Sequence, residues 1–302
     1  MTTMTTLRQF RFLVAVADTL NFTRAAELCH VTQPTLSAGL KELEGQLGVS
    51  LAERSKRRVM LTPVGEELAR RARVVLTEVT DMEAVARAQS GIGQGDLRLG
   101  VIPTVGPFLV PRVMPMLRAT WPELRLFLRE ELTEQLLEGL AEGRLDLVII
   151  ALPHDIGNIE TELLFEDGYQ LATPVGHGLA GRADLTGALL TGASLLLLEK
   201  GHCLQRHALE AFADLRSPPG DAFAATSLPT LLSMVEEGLG ITLLPQLAID
   251  AGIARGHSID LTPLPQACPR RVVLGWRPTS PHAARFHRIA ELLRAASASL
   301  KA

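Results

Sequence analysis

The chain is poor in cysteine, has no long apolar run and carries no excess of one charge, and each lack closes off a class of protein. Three cysteines in 302 residues cannot build a disulfide scaffold. In the reducing cytoplasm that is the default expectation, such thiols are buried filler or chemistry. No apolar run approaches the ~18–20 residues needed to cross a bilayer. The early run 12–17 is flanked by Arg11 and Asp18 with no cleavage-site pattern after it, so neither a signal peptide nor a membrane span is predicted. What is present is ordinary for a chain that buries real cores: 47% hydrophobic and 21% charged residues, which argues against wholesale disorder. At ~100–200 residues per domain the length predicts two or three domains.

The net charge of −3 hides an asymmetry. Residues 1–95 carry 12 basic against 10 acidic side chains, and the remainder 18 against 23. Within the first part Arg54, Lys56, Arg57 and Arg58 fall inside five positions. Taken alone, such a cluster reads as a solvated loop. Around it, however, the pattern is specific. Apolar residues at 10, 13, 14 and 17 predict one face of a first helix. A second, Ala-rich helix is expected from about 23 to 28, with Asn21 or Thr23 as cap. Thr32-Gln33-Pro34-Thr35 opens a third, with Thr32 as N-cap and Pro34 in the tolerant first turn. Leu36, Leu40, Leu43 and Leu47 make its buried stripe, Gln33, Thr35, Ser37, Gly39 and Lys41 its small polar face, and Gly48 its end.

Helix, short turn and helix with a polar face is the helix-turn-helix arrangement whose second helix enters the major groove. Segments 51–54 and 59–61 read as short strands around the basic cluster, a wing that meets phosphates. The expected DNA contacts are Thr32, Gln33, Pro34, Thr35, Ser37 and Lys41 on the helix, with Arg54, Lys56, Arg57 and Arg58 on the wing. From Pro63 on, Leu68, Ala72, Val75, Val79, Met82 and Ala86 form a heptad seam, which implies a partner helix from a second copy. The glycine run 91–95 precedes a strand instead of following one, so it reads as a hinge and not as a phosphate loop.

The segments Phe22-Thr23-Arg24-Ala25-Ala26, Val31-Thr32-Gln33-Pro34-Thr35-Leu36-Ser37 and Leu61-Thr62-Pro63-Val64-Gly65 resemble the signature of LysR-type transcriptional regulators. The resemblance implies a winged helix-turn-helix over 1–62, a dimerising linker helix over 63–92 and a regulatory domain over 96–302 of periplasmic-binding-protein type. That domain would be α/β with two subdomains, 96–170 with 275–302, and 171–274. Double-stranded promoter DNA, a homodimer or homotetramer and RNA polymerase would be its macromolecular partners, with no membrane partner, cofactor or metal.

The residues after 96 support an α/β reading in their own right. Strands are expected at 97–102, 124–130, 145–151, 169–174, 195–199, 222–226, 240–244 and 271–276, alternating with helices near 107–119, 133–142, 203–213, 227–237 and 281–298. Such alternation predicts a mostly parallel sheet with ligands at the strands' carboxyl ends. Cleft candidates are Thr104, Thr133, His202 with Cys203, and Thr226 with Ser227. Each hydroxyl is equally explained as a helix cap or turn former. Cys203 opens a helix, where the positive dipole end favours thiolate, with Lys200, His202, Arg206 and His207 nearby in sequence. The bland alternative is a small buried hydrophobe.

Leu198-Glu199-Lys200-Gly201-His202-Cys203-Leu204, Val101-Ile102-Pro103-Thr104-Val105-Gly106-Pro107, Ala225-Thr226-Ser227-Leu228 and Gly240-Ile241-Thr242-Leu243-Leu244-Pro245 are similar to the OxyR-like hydrogen-peroxide regulators within that family. The resemblance implies that Cys203 is the peroxidatic thiol, with His202, Thr104 and Thr133 around the peroxide. It also implies a second cysteine nine residues on, where this chain has Phe212. Cys268 substitutes only if folding brings it near, and Cys29 is expected in the core of the N-terminal domain. Two readings therefore stand: a peroxide-responsive regulator, and a LysR-type regulator with a small organic effector in the cleft. A turnover enzyme would need neither a major-groove helix nor a dimer seam.

Overall fold

The computed structural model describes residues 5–54, 59–87, 95–191, 194–199, 201–212 and 224–300. Two units divide the chain, one of residues 1–90 with 141–144, the other of 91–140 with 145–302.

Helix α1 (Leu7–Thr19) starts at a reciprocal capping box, in which the Thr6 hydroxyl accepts the Gln9 N–H and the Gln9 side chain accepts the Thr6 N–H. That box ties the amide of Gln9 to the first turn and lets the residue be buried. The inward face is consequently Gln9, Phe12, Leu13, Ala15 and Val16, whereas the expected stripe at 10, 13, 14 and 17 keeps only Leu13 fully inside. Helix α2 (Phe22–Leu28) is capped by the Asn21 side chain on the N–H groups of Thr23 and Arg24. The turn to α3 (Gln33–Leu47) passes through His30 at φ 53. Thr32 caps α3, Gly48 ends it at φ 70, and Leu36, Leu40 and Leu43 are buried. Leu47 is corrected from core to surface, since the last turn runs past the helices beneath it and leaves the side chain exposed. Gly39 also departs from the expected polar face: it lies on the Phe12 ring, where a Cβ would sit 2.7 Å away.

Strands β1 (Ala52–Arg54) and β2 (Val59–Leu61) pair antiparallel with Ala52 opposite Leu61. Thr62 then starts α4 (Pro63–Arg87) by accepting the Gly65 N–H at 3.0 Å, while its own N–H and hydroxyl donate to the carbonyls of Leu51 and Ser50 at 3.0 and 2.8 Å. Along the heptad seam Ala72 is buried, but Val75 is exposed and Met82 is 70% exposed.

In the second unit β3 (Gly95–Val101), α5 (Gly106–Thr120), β4 (Leu124–Glu130), α6 (Thr133–Ala141), β5 (Leu147–Leu152) and β6 (Glu160–Asp167) come first. After Gly168 follow β7 (Tyr169–Pro174), α7 (Gly187–Thr191), β8 (Leu197–Leu198), α8 (Cys203–Glu210), β9 (Ala224–Ala225) and α9 (Leu228–Glu236). The remainder is β10 (Thr242–Pro245), α10 (Gln246–Asp250), β11 (Ile259–Pro263), β12 (Arg270–Trp276) and α11 (Ala283–Ala298). One sheet runs β4-β3-β5-β12-β6 and another β10-β7-β11, with β8 and β9 as a separate parallel pair. The expectation of a mostly parallel sheet is corrected. Within these two sheets only β3 pairs parallel, with β4 and β5; β12 is antiparallel to β5 and β6, and β7 is antiparallel to β10 and β11. Part of the error arises at β6 and β11, neither of which was expected; β12–β5 and β10–β7 join expected strands whose direction alternation alone did not fix. β6 is a half-exposed edge strand rich in acidic residues, and β11 is short and ends on Pro263, so both lack the apolar signal of a central strand. Each sheet has its own core, and Phe108 packs against both.

A Cβ at Gly65 would lie 2.0 Å from the Leu51 carbonyl oxygen, a backbone atom held by the Thr62 N–H. Gly65→Ala is therefore expected to destabilise the N-terminal unit by roughly 1–3 kcal/mol, read as a lower midpoint of thermal unfolding. An unchanged midpoint would mean that the junction before α4 yields without cost.

Candidate functional site

On α3, Thr32, Gln33, Pro34, Thr35 and Lys41 are exposed and Ser37 is half-buried. The hydroxyls of Thr32 and Thr35 lie 2.8 Å apart, and Thr32 also accepts the Thr35 N–H at 3.4 Å. Capping thus presets their orientation. Arg54 ends β1; Lys56, Arg57 and Arg58 lie outside the described residues. Cys29 is half-buried at the C-terminal end of α2, beside the core and not within it, with its sulfur 3.8 Å from the Arg11 carbonyl. Burial pushes its thiol up, against the pull of the Arg11 charge.

In the second unit the expected hydroxyls are brought together. Thr104 follows β3 and is 2% exposed. Its hydroxyl accepts from Arg270 Nη1 at 2.8 Å and its carbonyl from Nη2 at 3.2 Å. With an acceptor site already engaged, the Thr104 hydroxyl proton is left to donate. The guanidinium is held in turn by Asp167, whose Oδ2 accepts from Nε at 3.0 Å and Nη2 at 2.8 Å and whose Oδ1 accepts the Leu247 N–H at 2.8 Å. Arg270 and Asp167 were not among the expected site residues. They open β12 and close β6, far apart in sequence, and no spacing rule joins them.

Thr133 opens α6, is 1% exposed, and its hydroxyl has no hydrogen-bond partner among the described residues. A buried hydroxyl left so costs on the order of 1–3 kcal/mol. Ile102, Pro103, Thr104, Leu132, Thr133 and His202 come together around a narrow crevice. His202 is the N-cap residue of α8, and Cys203 is the helix's first residue. Burial lowers the His202 pKa, although Glu199 opposes it. Thr226 follows β9, which pairs with β8 just ahead of α8, and is exposed, while Ser227 caps α9 by accepting the Thr230 N–H at 3.3 Å.

The basic surround expected for Cys203 is also corrected. His207 is buried and its Nε2–H donates to the Pro153 carbonyl at 2.9 Å, a carbonyl that also accepts from Arg206 Nη2 at 3.0 Å. Burial pushes the His207 pKa down to about 4; the Pro153 bond opposes this, and the charges of Arg270 and Arg206 add to it. His207 is therefore neutral near pH 7. Because its folded value lies below the ordinary ~6.5, the unfolded chain takes up a proton across that interval and the folded chain does not. Stability is full above about pH 6.5 and declines as pH falls toward 4. The thermal midpoint of the wild type should drop more steeply over that interval than that of His207→Gln; parallel slopes would show that His207 is not held neutral.

Residues 7–66 match the bacterial regulatory helix-turn-helix proteins of the lysR family, and 90–298 match the LysR substrate binding domain. The DNA-binding transcriptional dual regulator OxyR of Escherichia coli K12 is 42% identical over 96% of this chain and 95% of its own length. HTH-type transcriptional regulator EstR of Acinetobacter baylyi is 36% identical over 99% of this chain and all of its own. A full-length OxyR variant from Pseudomonas aeruginosa superposes with a TM-score of 0.81 at 36% identity, covering 96% of this chain and 98% of that one. A hydrogen-peroxide-bound OxyR mutant from Corynebacterium glutamicum gives 0.67 at 31%, covering 99% and 95%. Helix-turn-helix, regulatory domain and near full-length likeness agree: the chain belongs to the LysR family of bacterial regulatory proteins and, within it, groups with the OxyR proteins.

Proposed function

We propose that this protein is a promoter-binding transcriptional regulator that reads hydrogen peroxide at Cys203. The observation that carries the reading is the crevice at the start of α8, where the Thr133 hydroxyl, without a hydrogen-bond partner among the described residues, and the donating hydroxyl of Thr104 flank His202. The helix N-terminus favours a thiolate at Cys203. The thiolate attacks one peroxide oxygen, the O–O bond breaks, and hydroxide leaves with its charge met by the threonine donors and Cys203 as a sulfenic acid. The second reading is a small organic effector held non-covalently in the cleft, with Cys203 not redox-active. Phe212 in place of a second thiol is what keeps that second reading in view.

DNA is read by Thr32, Gln33, Pro34, Thr35, Ser37 and Lys41 on α3, with Arg54, Lys56, Arg57 and Arg58 on phosphates. The protein acts as a homodimer through α4, where exposed Val75 and Met82 supply an apolar face for a second copy. A tetramer, contact with RNA polymerase and a cytoplasmic location follow from the family resemblance. Among the described residues no helix is long and apolar enough to cross a membrane. The domains are taken as 1–62, 63–92 and 96–302, the last in two subdomains, 96–170 with 275–302 and 171–274.

Gln33→Ala combined with Arg58→Ala is expected to weaken operator binding in gel shifts, and Arg58→Ala alone to lower the salt slope by about 1. Unchanged affinity in the double variant would overturn the assignment of the interface. With one equivalent of hydrogen peroxide, reduced full-length protein should form a dimedone-trappable sulfenic acid at Cys203 far faster than an ordinary free thiol, and Cys203→Ser should not. A wild-type thiol of ordinary reactivity would remove the redox reading.

A further inference from the structure

The segment between β11 and β12 donates four N–H hydrogen bonds, three of them to other segments. The Leu264 N–H donates to the Tyr169 carbonyl at 3.2 Å and the Ala267 N–H to the Leu264 carbonyl at 3.1 Å. Gln266 Nε2 donates to the Leu185 carbonyl at 2.8 Å. The fourth bond is the informative one: the Cys268 N–H donates to the Ala211 carbonyl at 3.0 Å. Ala211 is the C-cap residue of α8, and Phe212 follows it. Folding therefore delivers a cysteine to the end of the same helix that Cys203 begins. Phe212 itself is 7% exposed and packs in one core with Ala211, Leu264 and Ala267, while Cys268 is exposed.

We propose that Cys268 is the resolving thiol of this regulator and closes an intrachain disulfide with Cys203. The inference rests on the reading of Cys203 as the peroxide-reactive thiol. Peroxide first converts the Cys203 thiolate to a sulfenic acid, releasing hydroxide. The Cys268 thiolate then attacks the Cys203 sulfur; the S–S bond forms, the S–OH bond breaks, and the departing hydroxide takes up the proton that Cys268 gave up. In sum two thiols and one hydrogen peroxide give one disulfide and two waters, the thiols losing two electrons and the peroxide gaining them.

Geometry makes this step a switch. From Cys203 to Ala211 the helix rises about 12 Å, whereas a disulfide holds its Cα atoms within ~7 Å. The bond is hindered while α8 is intact, because Cys268 is hydrogen-bonded to the end of the helix opposite Cys203. It can form once α8 unwinds, because extended chain spans up to ~3.3–3.6 Å per residue, so eight residues leave slack. Unwinding must release His207 and Arg206 from the Pro153 carbonyl and draw Leu204 out of its buried seat. Oxidation would thus change the surface around α8 while the loop bearing Cys268 stays anchored by Leu264, Gln266 and Ala267. Cys29 is a poor competitor, being half-buried with its thiol pushed up.

The test is full-length protein treated with one equivalent of hydrogen peroxide, digested without reduction and mapped by mass spectrometry, beside Cys268→Ser and Cys29→Ser. The expected result is a peptide joining Cys203 to Cys268 in wild type and in Cys29→Ser, with loss of two hydrogens from the intact chain (about 2 Da). In Cys268→Ser the dimedone adduct at Cys203 should persist instead. If Cys203 forms a sulfenic acid of equal lifetime in wild type and Cys268→Ser, or links two chains, the resolving role is overturned and the peroxide reading stands. If Cys203 does not react in any variant, both fall.

Discussion

The sensing unit turns on one buried ion pair. Arg270 and Asp167 have side chains 0% and 1% exposed, so two charges have been taken out of water at considerable cost. The cost is met because nearly every polar atom near the pair is used: Asp167 on the Leu247 N–H, Arg270 on both oxygens of Thr104. Removing one partner alone would leave a buried charge without its counterion, typically ~3–5 kcal/mol. The pair also stands where the chain passes between its two sheets, since Asp167 closes β6, Gly168 alone separates it from β7, and Arg270 opens β12. The Thr104 hydroxyl is therefore oriented by the same contact that joins the sheets.

Helix α8 is built on the opposite principle. It has eight residues, too few to be stable without tertiary support, and the strands on either side of it, β8 and β9, are two residues each. Its support comes from Leu204 in the second core, from the shared Pro153 carbonyl in its middle and from the Cys268 N–H just past its end. A reactive residue at the start of so lightly held a helix can change its surroundings without disturbing either sheet.

In the N-terminal unit function depends on how closely α3 and α4 approach their neighbours. Gly39 under the Phe12 ring seats α3 on α1, and Gly65 against the Leu51 carbonyl seats α4 on the wing. These contacts set the tilt at which the polar face of α3 is offered. The residues proposed to read DNA and the glycines that seat their helices are different sets.

Much of this was legible in the residues themselves. Caps at Asn21, Thr32 and Gly48, the proline at the start of α3 and the stripe of Leu36, Leu40 and Leu43 are local features, set by hydrogen bonds and periodicity within a few positions. Thr104, Thr133 and His202 could be named because residues after strands and at helix starts gather at one end of an α/β sheet. Local pattern could not say which hydroxyl would be spoken for. Arg270 engages Thr104 from 166 positions away, Thr133 has no hydrogen-bond partner among the described residues, and Ser227 serves its own helix. Nor could it show that His207 turns inward and loses its charge, or that Cys268 reaches Ala211. Secondary structure and caps follow from short-range forces that a sequence displays. Partnerships between buried polar groups are decided by which distant segments the cores bring together, and only the tertiary fold settles that.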